Sequence, residues 1–403
     1  MSENIRISNR ITSLAPSATL MMSQLAGEMK AKGIDVINLS VGEPDFPTPK
    51  HIIEAGKQAM DDGFTRYSPI DGYLSLREAI CDKLRRENGL SYSADQIVVS
   101  SGGKQGVCNT ILTLINPGDE VIIPAPYWLS YPQMVLLAEG TSKIIPTTVE
   151  HDYKLTAQQL EDAITDRTRL LILCSPSNPT GSVYTKSELE ALANVLRRHP
   201  QVFVLSDEIY EHIIFDGAGH HSLAEFADLR DRVIIANGVS KAYAMTGWRI
   251  GWIAAPAAIA KACKKLQGQY TSCPSTISQK AAEAAYRGEQ ECVEQMRQAF
   301  QRRQQLVLQL ANGIPHLVIN RPHGAFYLLM DLSWYFGKRT PEGKRISDSA
   351  ELNRYLLEQG HITCVDGAAF GAPKTIRMSY ATSEELLREA FRRLATALSM
   401  LHD

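Results

Sequence analysis

The chain is poor in cysteine. Its 403 residues include seven, Cys81, Cys108, Cys174, Cys263, Cys273, Cys292 and Cys364, with no CxxC pair among them. An odd, scattered set argues against a disulfide framework or a zinc site and suits reduced core thiols. Charge of one sign is equally scarce. Lysine and arginine number 42 against 44 acids, a net charge of -2 with no block of like sign. Nothing therefore points to nucleic acid or an anionic membrane surface, and a small molecule is the expected partner. Long apolar runs are missing as well. No stretch approaches the roughly 18 residues of a membrane span. The segment Met1 to Arg6 lacks the apolar core of a signal peptide, so a cytoplasmic protein is expected. There is no internal repeat and no low-complexity tract. The only histidine pair, His220-His221, sits in a Gly-rich loop without acidic or cysteine partners at ligand spacing, and no metal site is expected there.

Apolar residues, by contrast, are plentiful. A hydrophobic content of 44% in a chain of this length predicts a large core and two domains. From about Tyr92 to Ala254, six short apolar runs alternate with segments of helical period: 96–100, 120–123, 170–173, 202–205, 233–236 and 250–253. Unbroken apolar strands between helices predict an α/β fold with a mostly parallel sheet covered on both faces. Ligands of such sheets sit beyond the carboxyl ends of the strands. The segment from about Ser275 to Asn312 has no proline and reads as long helix. Beyond it, 326–330 and 375–380 read as strands of a smaller unit closed by a helix from Ser383 to about Leu401, with Glu384 and Glu385 in its first turn. The stretch up to Pro49 reads as loop that packs on the smaller unit.

The polar motifs follow the apolar runs. Lys241, in Gly238-Val239-Ser240-Lys241-Ala242, lies eight residues before Arg249. An amine among small residues with a cation nearby reads as an amine held beside a phosphate. That is what a pyridoxal 5'-phosphate enzyme needs: an amine for a Schiff base and a bidentate cation for the phosphate. A lone lysine is ordinarily solvated surface, so this reading rests on its neighbours. Ser100-Ser101-Gly102-Gly103-Lys104 reads as a phosphate cradle at a helix start, or as a turn that merely needs glycine. Asp207 can hold a pyridine nitrogen protonated, or cap an exposed helix. Tyr210 can donate to a phenolate oxygen or simply pack. Asn178, in Asn178-Pro179-Thr180-Gly181, can bond that same oxygen or start a turn. Trp128 can stack on a flat ring or fill the core. Arg377 interrupts an apolar strand and requires a partner, either a substrate carboxylate or an internal acid.

In this order, from Ile11 to about Leu398, the motifs resemble those of fold type I pyridoxal phosphate enzymes of the class I aminotransferase family. The resemblance implies a seven-stranded, mostly parallel sheet in a large domain plus a smaller α+β domain. It divides the chain into an N-terminal segment (1–49), a cofactor domain (50–295) and a C-terminal domain (296–403). It makes Lys241 the Schiff-base lysine and then the base that moves the substrate proton. Asp207 takes the pyridine nitrogen, Asn178 and Tyr210 the phenolate oxygen, and Trp128 the ring face. Gly103, Lys104 and Arg249 surround the phosphate, Arg377 grips the substrate α-carboxylate, and Gly42 lets the N-terminal segment close over substrate. Tyr67 matches a tyrosine that reaches the phosphate of a neighbouring subunit, which implies a homodimer with shared active sites.

The segment from Gln269 to Gln279 contains no arginine, unlike the aspartate aminotransferases that grip the second carboxylate with one. The chain instead resembles the bacterial and plant subgroup, in which a lysine at the place of Lys104 does this, helped by a residue at the place of Thr19. Ala15 departs from that subgroup's frequent lysine. The resemblance extends to members that also transaminate prephenate. The implied reaction is a ping-pong exchange between amino acids and 2-oxo acids, aspartate or glutamate foremost. Lysine, aspartate and Arg377 would equally suit a pyridoxal phosphate lyase. A cofactor-binding transcription regulator would need an added DNA-binding domain, and the match begins by about residue 11.

Overall fold

The computed structural model describes residues 6–403. A short strand, β1 (Ile37–Asn38), precedes seven that form one sheet: β2 (Ile97–Ser100), β3 (Glu120–Ala125), β4 (Thr141–Pro146), β5 (Thr168–Cys174), β6 (Phe203–Asp207), β7 (Val233–Gly238) and β8 (Gly251–Ala254). Their order is β2-β8-β7-β6-β5-β3-β4. Every pairing is parallel except the two made by β8. All six apolar runs are strands, and their residues alternate between two cores. Val99, Ile122, Leu171, Val204 and Ile235 enter one; Val98, Val121, Ile172, Leu205 and Ile234 enter the other. Helices cover both faces, so the inner strands read as continuous apolar runs.

The reversal of β8 positions the site. Lying antiparallel between β7 and β2, it brings its first residue to the edge where the other strands end. Arg249, just before β8, therefore shares that edge with the segments that leave β2, β3, β5, β6 and β7.

β9 (Val318–Ile319), β10 (Tyr327–Asp331), β11 (Ile362–Thr363), β12 (Val365–Asp366) and β13 (Thr375–Ser379) follow. An antiparallel sheet in the order β12-β13-β10-β9 packs with the helices Ser349–Gly360 and Glu384–Ser399 around Phe326, Leu328, Met378, Phe391 and Leu394. Ser383 caps the last helix by accepting from the Leu386 amide, beside Glu384 and Glu385.

Two expectations need correction. The long helix read from Ser275 to Asn312 is two, Thr276–Arg287 and Glu291–Ala311. Gly288 separates them in extended conformation, where a Cβ would press to 2.7 Å from the Ala284 carbonyl oxygen. The N-terminal stretch is not all loop, since Ala18–Ala31 is helix. Only Ala26 of that helix is buried, while Leu20 and Met21 face outward, so it lacks the apolar stripe that announces a helix. Within this stretch β1 pairs in parallel with β11, Ile37 opposite Ile362 and Asn38 opposite Thr363. No helix among the described residues is long and apolar enough to cross a membrane.

Candidate active site

At the edge where the strands end lies a cavity of about 290 Å³. Its walls bring together Thr19, Gly42, Gly103, Lys104, Trp128, Asn178, Asp207, Tyr210, Lys241, Arg249 and Arg377. Of the candidates read from the sequence, Tyr67 alone is elsewhere, 90% exposed.

One end is a glycine turn and helix start beside Arg249. The helix Gly103–Leu114 starts directly after β2, with Gly102 at φ 82°, a left-handed conformation that favours glycine. A Cβ on Gly102 would collide with the Arg249 guanidinium, and one on Gly251 with the Gly103 backbone. The glycines thus serve close approach as well as the turn. Arg249 is held by carbonyls, Nη1 donating to Thr246 at 2.8 Å and Nη2 to Ser101 at 3.4 Å. Lys104 extends its Nζ to 5.0 Å from the centre of the Trp128 ring. The residue is exposed at the rim, but partial desolvation of the ammonium and the neighbouring Arg249 push its pKa down.

The floor holds a buried carboxylate and an amine. Asp207 ends β6 and is 7% exposed, not a solvated cap. Burial raises its pKa to about 6, against hydrogen bonds from Tyr131 Oη (2.6 Å) and the Ile209 amide (3.4 Å). Lys241 Nζ donates to the Gly42 carbonyl at 2.5 Å. Burial lowers its pKa to about 8; Arg249 and Arg377 push the same way, while Glu43 opposes them. An amine so shifted is partly neutral near physiological pH and can act as a nucleophile or base.

The far end is Arg377, on β13 and 2% exposed. Its Nη1 donates to Asn178 Oδ1 at 3.1 Å and its Nη2 to the Ser40 carbonyl, while Nε has no partner. The guanidinium lies against the rings of Tyr327 (4.7 Å) and Phe370 (4.9 Å). The sequence left open an internal acid as its partner; among the described residues none pairs with it. A buried cation with only neutral partners is costly to hold.

Some side chains at the site went unread in the sequence. Tyr131 reaches Asp207 from the helix Ser130–Leu137. Tyr327, on β10, bonds Tyr210 hydroxyl to hydroxyl at 2.7 Å and fills the space a Cβ on Gly42 would need. Both are tyrosines in apolar surroundings, which sequence cannot tell from packing. The reading of His220-His221 also needs correction. His220 Nε2 lies 3.0 Å from Glu208 and His221 Nδ1 3.2 Å from Glu225, acids supplied by the fold and by the next helical turn.

Scaffold and site define an α/β protein that presents an amine and a buried carboxylate between two cationic ends. The chain belongs to the aminotransferase class I and II family, whose model matches residues 34–394. Membership implies dependence on pyridoxal 5'-phosphate. The chain is 47% identical, over 98% of its length and 83% of the relative's, to a bifunctional aspartate aminotransferase and glutamate/aspartate-prephenate aminotransferase of Petunia hybrida. It is 48% identical to an aspartate/prephenate aminotransferase of Cereibacter sphaeroides, covering 96% of this chain and 97% of the relative. Among solved structures, the aspartate aminotransferase of Rhizobium meliloti superposes with a TM-score of 0.96 at 44% identity, over 99% of this chain and all of that one.

Proposed function

We propose that this chain moves the amino group of aspartate or glutamate to a 2-oxo acid such as oxaloacetate or 2-oxoglutarate by a ping-pong mechanism, with pyridoxal 5'-phosphate as cofactor. The reading is carried by Arg377, a buried guanidinium with no acid partner and an orphaned Nε at the wall of the cavity that holds Lys241.

The residues present fit the cofactor. The cradle of Gly103 with Arg249 and its glycine contacts suits a phosphate, Trp128 offers a flat face, and Asp207 is a buried acceptor for a ring nitrogen. Asn178 and Tyr210 offer an amide and a hydroxyl for the ring oxygen. When bound, pyridoxal 5'-phosphate supplies a protonated ring that accepts the electrons released as the substrate Cα loses its proton.

The chain's own groups do the rest. Arg377 takes the α-carboxylate, the anion missing from its surroundings, and thereby fixes Cα relative to Lys241. Lys241 would hold the cofactor through its amine and, with that amine free, would carry the proton away from Cα. Its lowered pKa makes the neutral form accessible. Lys104 takes the second carboxylate of an acidic substrate, helped by Thr19, which lines the same cavity. A second reading, prephenate as a further acceptor, is supported by the names of the Petunia and Cereibacter relatives. It is also favoured by an adjoining, mainly apolar cavity of about 460 Å³ that shares Lys104, Ser130 and Arg249. Tyr67, exposed and outside the cavity, is available to a second subunit, and we take the working unit to be a homodimer with shared sites.

The test is Lys241→Ala. It should remove both the absorbance of the lysine-bound cofactor and steady turnover, and retained turnover would overturn the assignment. Adding aspartate, glutamate, alanine, aromatic amino acids and arogenate singly to the cofactor-loaded protein, with half-reaction rates followed spectrally, ranks the donors.

A further inference from the structure

Asp207 is nearly solvent-free, and its carboxylate has few donors. Oδ2 takes the Tyr131 hydroxyl at 2.6 Å, while Oδ1 has only the long contact to the Ile209 amide at 3.4 Å. Among the described residues, Tyr131 is the one side-chain donor to this carboxylate. Tyr131 is itself 2% exposed and meets Trp128 edge-on, ring centres 5.2 Å apart at 88°. The same phenol therefore buttresses the wall offered to a flat ring and holds one oxygen of the group offered to that ring's nitrogen.

Ionisable neighbours reach Asp207 from every side. Tyr131 comes from the helix after β3, Cys174 from the paired position on β5, Glu208 from the next position in the chain, and Lys241 from the segment after β7. Glu208 and burial favour the neutral acid; Tyr131, the Ile209 amide and Lys241 favour the ion. Cys174 is half-buried, and desolvation and Asp207 push its thiol pKa up, so it contributes no competing charge near neutral pH.

We propose that Tyr131 is a positioning residue: by donating to Asp207 Oδ2 it keeps that carboxylate ionised and leaves Oδ1 as the acceptor for the cofactor's ring N–H. This rests on the cofactor reading above. Without the phenol, the carboxylate is more basic and draws the shared proton from the ring nitrogen, which weakens the ring as an electron acceptor.

Tyr131→Phe keeps the ring against Trp128 and removes only the hydroxyl. With pyridoxal 5'-phosphate bound, the pH midpoint of the lysine-bound absorbance should move about one unit to the alkaline side. Cofactor affinity, measured by equilibrium dialysis of the apo-protein, should weaken roughly tenfold, the equivalent of one charge-assisted hydrogen bond. The nitrogen-15 shift of ring-labelled cofactor should move from the protonated towards the neutral pyridine range, and kcat should fall more than KM rises. If Tyr131→Phe does not fold, 3,5-difluorotyrosine at position 131, a stronger donor of the same shape, should displace the midpoint to the acid side. An unmoved midpoint and ring-nitrogen shift in a variant that binds the cofactor would overturn the proposal. Wild-type protein that never develops the bound-cofactor absorbance would instead sink the cofactor reading itself.

Discussion

Two groups of charges sit on either side of the end of β6, and they are built on opposite terms. On one side Lys83, fully buried, is bonded to Glu211 and to Asn88. Glu211 also accepts from Asn88 and Asn237, and Glu208 accepts from Ser206, Ser222 and His220. Despite burial, Lys83 and the nearby His212 and His220 hold the Glu211 carboxyl well below the usual range. On the other side Lys241, Arg249, Arg377 and Lys104 face a cavity, and none has a carboxylate within ion-pair distance among the described residues. Side chains alternate sides along the chain as β6 ends, so Asp207, its last residue, joins the second group and Glu208, just beyond it, the first. Charge closed on itself supports the fold; charge left open faces the cavity.

The sharpest way to break this contrast is Glu211→Leu. It should cost about 3 to 5 kcal/mol of stability by leaving the buried Lys83 only its longer ion pair to Glu87 at 3.5 Å, and adding Lys83→Met should recover most of it, as read by urea denaturation. Arg377→Met should do the reverse. Catalytic efficiency on every amino acid should fall by roughly a hundred- to a thousandfold, while the apo-protein's melting temperature holds or rises. A loss of stability like that of Glu211→Leu would mean that Arg377 is a structural cation after all.

The pH dependence separates the two sides as well. The unfolded chain releases the Asp207 proton near pH 3.8 and the folded chain near pH 6, so between them the folded state binds more protons and stability falls as pH rises. In the apo-protein this amounts to at most about 3 kcal/mol, and Asp207→Asn should flatten that slope. Glu211 acts oppositely: its depressed pKa stabilises the fold above its ordinary 4.5 and loses that contribution as pH falls. Denaturation of both variants across this range resolves the signs. The smallest effect is expected at the rim. Lys104→Ala should raise KM about tenfold for aspartate and leave alanine nearly unchanged, as initial rates would reveal, because an exposed cation contributes little beyond one charge-assisted contact.

The sheet was legible because β5, β6 and β7 are apolar on both faces, a pattern that few other structures produce. β4 was not. As an edge strand with no fully buried residue, it lacks the run that marks its neighbours. At the site, Lys241, Asp207 and Arg377 could be found because charge in or beside an apolar strand demands a reason. Tyr131 and Tyr327 could not, since their hydrogen bonds cross 76 and 117 residues of chain and leave no local trace. The His220 partnership with Glu208 was hidden likewise, by a loop that returns to the end of β6.

The pairing of β1 with β11 also has a mechanical consequence. The Leu39 amide bonds the Thr363 carbonyl, the Ser379 amide bonds the Leu39 carbonyl, and Arg377 bonds Ser40. Two residues on, the Gly42 carbonyl takes the Lys241 amine. Residues 37–42 and β13 are thus stitched into one clasp, hinged on the smaller sheet and latched onto the amine of the larger. A displacement of Arg377 would therefore be passed through Ser40 to the carbonyl that holds the Lys241 amine, so the two ends of the cavity are not mechanically independent.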